Sequence, residues 1–192
     1  MIRCYTGTMG SGKSLSVAKD IFFYNNKGKD IILNYSINKD LLKDKGNKII
    51  ELNNNSLNVK FLKDFAKQNN YLENKKEKQC ILIVDEASII FNSRSWNAKD
   101  RTEWLEFFVH HRKLGFEVIL ITQFLDQLDK QIRNIIEYQY IHRKLNNFLP
   151  LPFKTFVKVE KSVQVKGLKS SSRMFIFKKK YGNLYDTFAM FD

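Results

Sequence analysis

Cysteine and proline are nearly missing from this chain of 192 residues, with two of each. So few thiols exclude a disulfide scaffold. Cys4 and Cys80 both lie in apolar runs that read as interior strands, which makes them buried thiols of a reducing compartment. Neither stands at metal-ligand spacing. Long apolar runs are missing too. The longest aliphatic stretches, "ILIV" and "VILI", fall far short of the ~20 residues that cross a bilayer. No signal peptide is legible, because a glycine loop opens almost at once after Met1. The expectation is a soluble, cytoplasmic chain. Acidic residues are scarce, 20 against 33 Lys and Arg, for a net charge of +13. That balance fits contact with nucleic acid or an anionic membrane surface. It equally fits a lysine-rich surface that merely keeps the protein soluble, and both readings stay open.

What is present is strand alternating with helix. "MIRCYTG" reads as a strand, "GKSLSVAKDIFFY" as a helix with Leu15, Val17, Ile21 and Phe22 inward, and "IILNYS" as a strand. A short strand at "KIIEL" and a helix near "LNVKFLKDFAKQ" follow, then "NNYLENKKEKQ" as a solvated loop. "CILIVDEA" has the unbroken apolar character of a strand buried on both faces. Asp100 is placed to cap the next helix, with Glu103 completing a capping box and Gly115 as the stop. That helix turns Trp104, Phe107, Phe108 and Leu114 inward; His110 and His111 read as packing or polar-face residues on it. "EVILITQ" is another buried strand, and "DQLDKQIRNIIEY" an amphipathic helix with Leu128, Ile132, Ile135 and Ile136 on one face. This alternation predicts a parallel sheet with right-handed crossovers. Beyond residue 150 the period changes to two. "TFVKVEKSVQVKG", with Val157, Val159, Val163 and Val165 on one side, and "RMFIFKKKYG" predict an antiparallel pair. The expectation is one domain over 1–192: a parallel αβ core over 1–150 and a basic β extension over 151–192.

The chemistry is concentrated in "GTMGSGKS". Gly7, Gly12, Lys13 and Ser14 stand at the spacing of a phosphate loop, between a strand and a helix. Glycines let the backbone wrap a phosphate chain and aim N–H groups inward. The nucleotide-binding set is therefore Gly7, Thr8, Met9, Gly10, Ser11, Gly12, Lys13, Ser14 and Leu15. Lys13 supplies a point charge for the β- and γ-phosphates, Ser14 a hydroxyl for Mg²⁺, and the helix its positive end. Asp85, at the tip of the hydrophobic strand, is placed to hold Mg²⁺, and its neighbour Glu86 to deprotonate an attacking water. Gln123 ends the next strand, where a polar side chain contacts the γ-phosphate or the lytic water. ATP and Mg²⁺ are thus the expected cofactors. A ring-shaped motor also uses an arginine from a neighbouring subunit, and Arg94, Arg101, Arg112 and Arg133 are the candidates.

Several of these stretches resemble the zonula occludens toxin (Zot) family, which includes the assembly ATPases of filamentous phages. They are "GTMGSGKS", "ILIVDEASIIFNSR", "WLEFFVHHRKLGFEVILITQFLDQLDKQIRNIIEYQYIHRK" and "LYDTF". The resemblance implies a three-layer, additional-strand P-loop ATPase near the HerA/FtsK motors. It also implies a homo-oligomer such as a hexameric ring, and a role in extruding phage DNA, single-stranded, while coat protein is added. By motif it gives Lys13, Ser14, Asp85, Glu86 and Gln123 the roles above. Filamentous-phage members continue into a transmembrane helix and an outer domain, neither of which is seen here. The expectation is therefore a host-cytoplasmic domain at the inner face of the membrane, reaching it through a further segment or a partner. A packaging motor would use the same engine.

Residues 154 to 180 hold nine Lys or Arg and one acid, Glu160, interleaved with aromatics. With Phe153, Phe156, Phe175, Phe177 and Tyr181, the segment suits a channel for single-stranded DNA. It suits anionic lipid as well, or a sheet edge guarded by lysines. Two other functions stay open: a small-molecule P-loop kinase, and a nucleotide-gated interaction protein with little turnover.

Overall fold

A five-residue run with no polar side chain, Cys80–Val84, needs cover on both faces. It has that cover. We describe residues 1–92, 98–147, 153–165 and 170–185 from a computed structural model. Its elements are, in chain order, β1 (Ile2–Thr6), α1 (Lys13–Asn26), β2 (Asp30–Leu33), β3 (Ile49–Glu51), α2 (Val59–Gln68) and α3 (Tyr71–Asn74). Then come β4 (Cys80–Val84), α4 (Ala87–Ile90), α5 (Ala98–His110), β5 (Phe116–Ile121) and α6 (Lys130–Ile135). Last are β6 (Tyr138–Lys144), β7 (Thr155–Ser162), β8 (Ser171–Ile176) and α7 (Lys179–Gly182).

All eight strands form one sheet in the order β3-β2-β4-β5-β1-β6-β7-β8. Neighbours from β3 to β6 pair in parallel, while β7 and β8 join antiparallel. Strand β5 lies between β1 and β4, so one additional strand separates the loop-bearing strand from the acid-bearing one. Side chains alternate across the sheet as strand geometry requires. Cys80, Leu82 and Val84 join a core with α2, α5 and α6, while Ile81 and Ile83 join a second core with α1. The result is the expected three-layer P-loop NTPase fold with a mostly parallel sheet.

Four local expectations are corrected. Helix α5 begins at Ala98, so Asp100 lies inside its first turn rather than at the cap, where an acid still favours the helix dipole. The segment read as a solvated loop contains α3, because Tyr71 is buried between Phe65 and Phe116 and its hydroxyl donates to Asp30. The amphipathic stretch after β5 divides into a 3₁₀ turn and α6, since Asp129 is spent capping the Gln131 N–H at 2.8 Å. Strand β7 ends at Ser162, which leaves Val165 exposed, away from the side shared by Val157 and Val159. A whole strand, β6, is an addition: the stretch "YQYIHRK" pairs with β1 on one side and β7 on the other.

The α5 side of the core is aromatic. The ring of Phe107, fully buried, lies 5.8 Å from Trp104, 5.6 Å from Phe108 and 5.4 Å from Phe116, centroid to centroid. Phe107→Ala removes that ring from a packed site and should lower stability by about 3–5 kcal/mol, read as a shifted denaturation midpoint at unchanged slope.

Candidate nucleotide site

Helices α2 and α6 are closed at their N-termini by side chains: Asn58 accepts from the Phe61 N–H at 2.8 Å, and Asp129 caps α6. Helix α1 has no such cap. Gly12 precedes it in the left-handed region at φ 94°. Among the described residues no backbone carbonyl accepts from the N–H groups of Gly12, Lys13, Ser14 or Leu15. Four donors at a positive helix end form an anion site by construction. Glycine is required at two loop positions. A Cβ on Gly7 would lie 2.5 Å from the carbonyl oxygen of His142, and one on Gly12 would lie 2.7 Å from the Phe156 ring. The Ser11 hydroxyl is buried in the loop without a partner. Lys13 Nζ donates to the carbonyls of Gly7 at 2.5 Å and Thr8 at 3.1 Å. Burial pushes the Lys13 ammonium down, while Asp85 and Glu86 pull it back up, which puts both acids within electrostatic reach of the loop.

The tip of β4 is clamped. Asn34, just past β2, accepts the Asp85 N–H at 2.6 Å and donates to the Asp85 carbonyl at 3.0 Å. The Asp85 carboxylate accepts the Glu86 N–H on Oδ1 at 2.8 Å and the Tyr185 hydroxyl on Oδ2 at 2.5 Å. Glu86 adopts φ 46° and is exposed. Gln123 is also exposed, and its carbonyl accepts the Gly7 N–H at 3.1 Å. The β5 tip therefore fastens the start of the loop through its backbone.

Two cavities flank the loop. One, of about 720 Å³, lies between Thr6–Ser11, the β5 tip at Gln123–Asp126 and the β6 residues Gln139 and Ile141–Lys144. The other, of about 290 Å³, lies over Gly10–Leu15 and is walled by Phe156, Phe177, Tyr181 and Tyr185. Loop and acid tip thus meet at one end of the sheet, joined by Tyr185, which reaches both.

The candidate arginines are placed unequally. Arg94 lies outside the described residues. Arg101 is bound to buried Asp129 at 2.5 Å. Arg112 bonds Glu137 at 2.6 Å, at the opposite end of β1, where Glu137 also accepts the Ile2 N–H. Arg133 bonds Asp126 at 2.8 Å, on the rim of the larger cavity. Sequence reasoning did not reach Asn34, Tyr185 or the β6 residue Arg143 that lines that cavity; only "LYDTF" carried a trace of Tyr185. Part of the basic tail packs within the protein. Phe156 and Phe175 stack on each other at 5.5 Å, and Tyr181 packs on Phe22. Lys158 Nζ sits 4.5 and 4.3 Å from the ring centroids of Tyr5 and Tyr140, bonded to the Tyr5 hydroxyl.

Comparison with known proteins places the chain. The family model described as "Zonular occludens toxin (Zot)" matches residues 1–183. The chain belongs to the Zot family. The Gene 1 protein of Enterobacteria phage M13 is 36% identical over 78 residues, which is 41% of this chain and 22% of that protein. The match thus spans about a fifth of the relative's length. The crystal structure of the N-terminal domain of zonular occludens toxin from Neisseria meningitidis superposes with a TM-score of 0.61 at 20% identity, covering 96% of this chain and 98% of that one. The genome packaging NTPase B204 of Sulfolobus turreted icosahedral virus 2, in complex with ATP-gammaS, gives 0.54 at 15% identity over 92% and 96%. These two likenesses concern the fold. Among the described residues of this Zot-family chain, no helix is long and apolar enough to cross a membrane.

His142 sits directly beneath the loop. Its Nδ1 faces the carbonyls of Tyr140 at 3.0 Å and Thr6 at 3.3 Å, which assigns the proton there, and buried Nε2 has no partner. Burial, then the neighbouring Lys158, pushes its pKa down to about 3; burial and the chain's amino terminus push that of His111 down to about 4. Both folded values lie below the ordinary 6.5. The unfolded chain therefore takes up protons that the fold refuses. Their contribution is complete above the ordinary value and is lost as pH falls through 6.5 toward those folded values. The thermal midpoint should hold at neutral pH and decline on the acid side, with a shallower decline in His142→Phe.

Proposed function

We propose that this chain is an ATP-hydrolysing motor that handles phage DNA during virion assembly, extrusion or packaging. The observation that carries the proposal is the meeting of an uncapped helix terminus, Lys13 and a clamped Asp85 at one end of the sheet. Family membership and the name of the M13 relative support the phage setting.

The residues fit a magnesium-bound triphosphate by the chemistry of their donors. Free N–H groups from Gly12 to Leu15, the orphaned Ser11 hydroxyl and the Lys13 ammonium suit phosphate oxygens. Ser14 and Asp85 would hold Mg²⁺, which neutralises phosphate charge when bound. Glu86, exposed beside the loop, takes the proton of the attacking water, and Gln123 orients that water. The aromatic wall of Phe177 and Tyr181 would offer ring faces to the nucleobase. Stacking reads the face of a purine and leaves its edge unread, so ATP and GTP should bind within about tenfold of each other.

Arg133 is the candidate we assign to a neighbouring copy's site in a ring. Its partner Asp126 is 92% exposed, so the pair is cheap to break, whereas freeing Arg101 would strand a buried carboxylate. DNA contact falls to the exposed Lys154, Lys161, Arg173, Lys178, Lys179 and Lys180, since Lys158 is caged. We place the protein on the cytoplasmic side of the host inner membrane, acting with coat and assembly proteins.

Phosphate release measured with and without single- and double-stranded DNA, alongside the mass of the assembly, tests this reading. Lys13→Ala should lose nucleotide affinity by more than about tenfold. Glu86→Gln should bind normally and turn over about 10²–10⁴-fold more slowly. Phosphate passed to a small-molecule acceptor would instead identify a kinase. No turnover in an assembled, DNA-loaded parent would identify a nucleotide-gated interaction protein.

A further inference from the structure

Tyr185 enters the site from a part of the chain remote from the loop. After β8, residues 177–185 cross the outer side of α1 as a strap. Tyr181 packs its ring 5.5 Å from Phe22, and the Lys180 ammonium lies 4.4 Å from the same ring. Leu184 is fully buried in the α1-side core, and its carbonyl accepts the Asn38 N–H at 3.0 Å. Tyr185 then bridges to Ile37, lays its ring 5.0 Å from Tyr35 and donates its hydroxyl to Asp85 Oδ2 at 2.5 Å.

We infer that Tyr185 is a positioning residue for the Asp85 carboxylate, so that docking of the C-terminal strap and loading of the magnesium site are one coupled equilibrium. The inference rests on the reading of Asp85 as the metal-holding acid. An aspartate at a strand tip is free to turn about two side-chain torsions. Here the Glu86 N–H fixes one oxygen and the phenol the other, while each oxygen keeps a further lone pair for a metal or its water. The carboxylate is thus held ready, and the holding group belongs to the strap. Linkage makes the effect reciprocal: if the docked strap improves metal binding, bound metal secures the strap by the same factor.

The test is Tyr185→Phe, which keeps the ring against Tyr35 and removes only the hydroxyl. Two measurements are made on the whole chain. Affinity for a non-hydrolysable ATP analogue is measured with Mg²⁺ and with EDTA. Amide exchange across residues 177–185 is followed with and without the magnesium-loaded analogue. The variant should lose about tenfold of the magnesium-dependent gain, read as the ratio of its own magnesium and EDTA affinities. Its strap should exchange faster, and the slowing of exchange that magnesium-loaded analogue produces in the parent should shrink. A variant that keeps the parent's magnesium gain, or whose strap exchanges as the parent's does, overturns the coupling alone. A parent with no magnesium gain overturns the reading of Asp85 as the metal acid.

Discussion

Everything at the functional end of this domain follows from a helix left open at its start. A helix N-terminus holds N–H groups that its own turns cannot satisfy, and α2 and α6 close theirs with asparagine and aspartate. Helix α1 starts from a left-handed glycine with no side chain to offer. Such a terminus is stable only beside something anionic or hydrated. The surrounding structure keeps it clear: Phe156 fills the space against Gly12 and His142 lies below the loop. Asp85 and Glu86, the acids that act on Lys13, stand just past β4 rather than on the helix itself.

That arrangement needs a sheet on which two strand tips hold position without touching. Strand β5 separates β1 from β4, and both its ladders are parallel. Its own tip fastens the loop through a main-chain bond to Gly7. The acid tip is held from the other direction by Asn34, which bonds to both sides of the Asp85 peptide. The site is thus assembled mostly from main-chain and amide bonds. The charged side chains are held as well, Lys13 by two loop carbonyls and Asp85 by the Glu86 N–H and the Tyr185 hydroxyl.

The fold was readable where burial is one-sided or complete. Cys80–Val84 and Phe116–Ile121 are unbroken apolar runs, and their central places follow directly. The glycine loop between β1 and α1 and the acid at the tip of β4 were readable as well, since a strand bounds each of them. Strand β6 was not. Its alternation of Tyr, Gln, Tyr, Ile, His and Arg is polar enough to pass for the tail of a helix, and its strand character comes from pairing with β1 and β7. The cap of α5 was misplaced by local chemistry alone, because an acid in a first turn and an acid at a cap look alike in sequence. Tyr185 and Asn34 were invisible for a simpler reason: each acts on a residue at least 51 positions away. The basic tail left a DNA channel, a lipid-facing surface and a lysine-guarded sheet edge open alike, because sequence alone does not show that several of its aromatics pack against α1 and one another.

The position of β1 has a mechanical consequence. The strand that carries the loop is zipped to β5 on one side and β6 on the other, with both neighbours running in its own direction. A tug on the loop along the strand axis therefore strains two ladders in shear, so many bonds share the load at once. An edge strand would peel one bond at a time. A load on the loop is therefore shared between two ladders, which makes β1 the anchor of the sheet and leaves β7 and β8 at its rim.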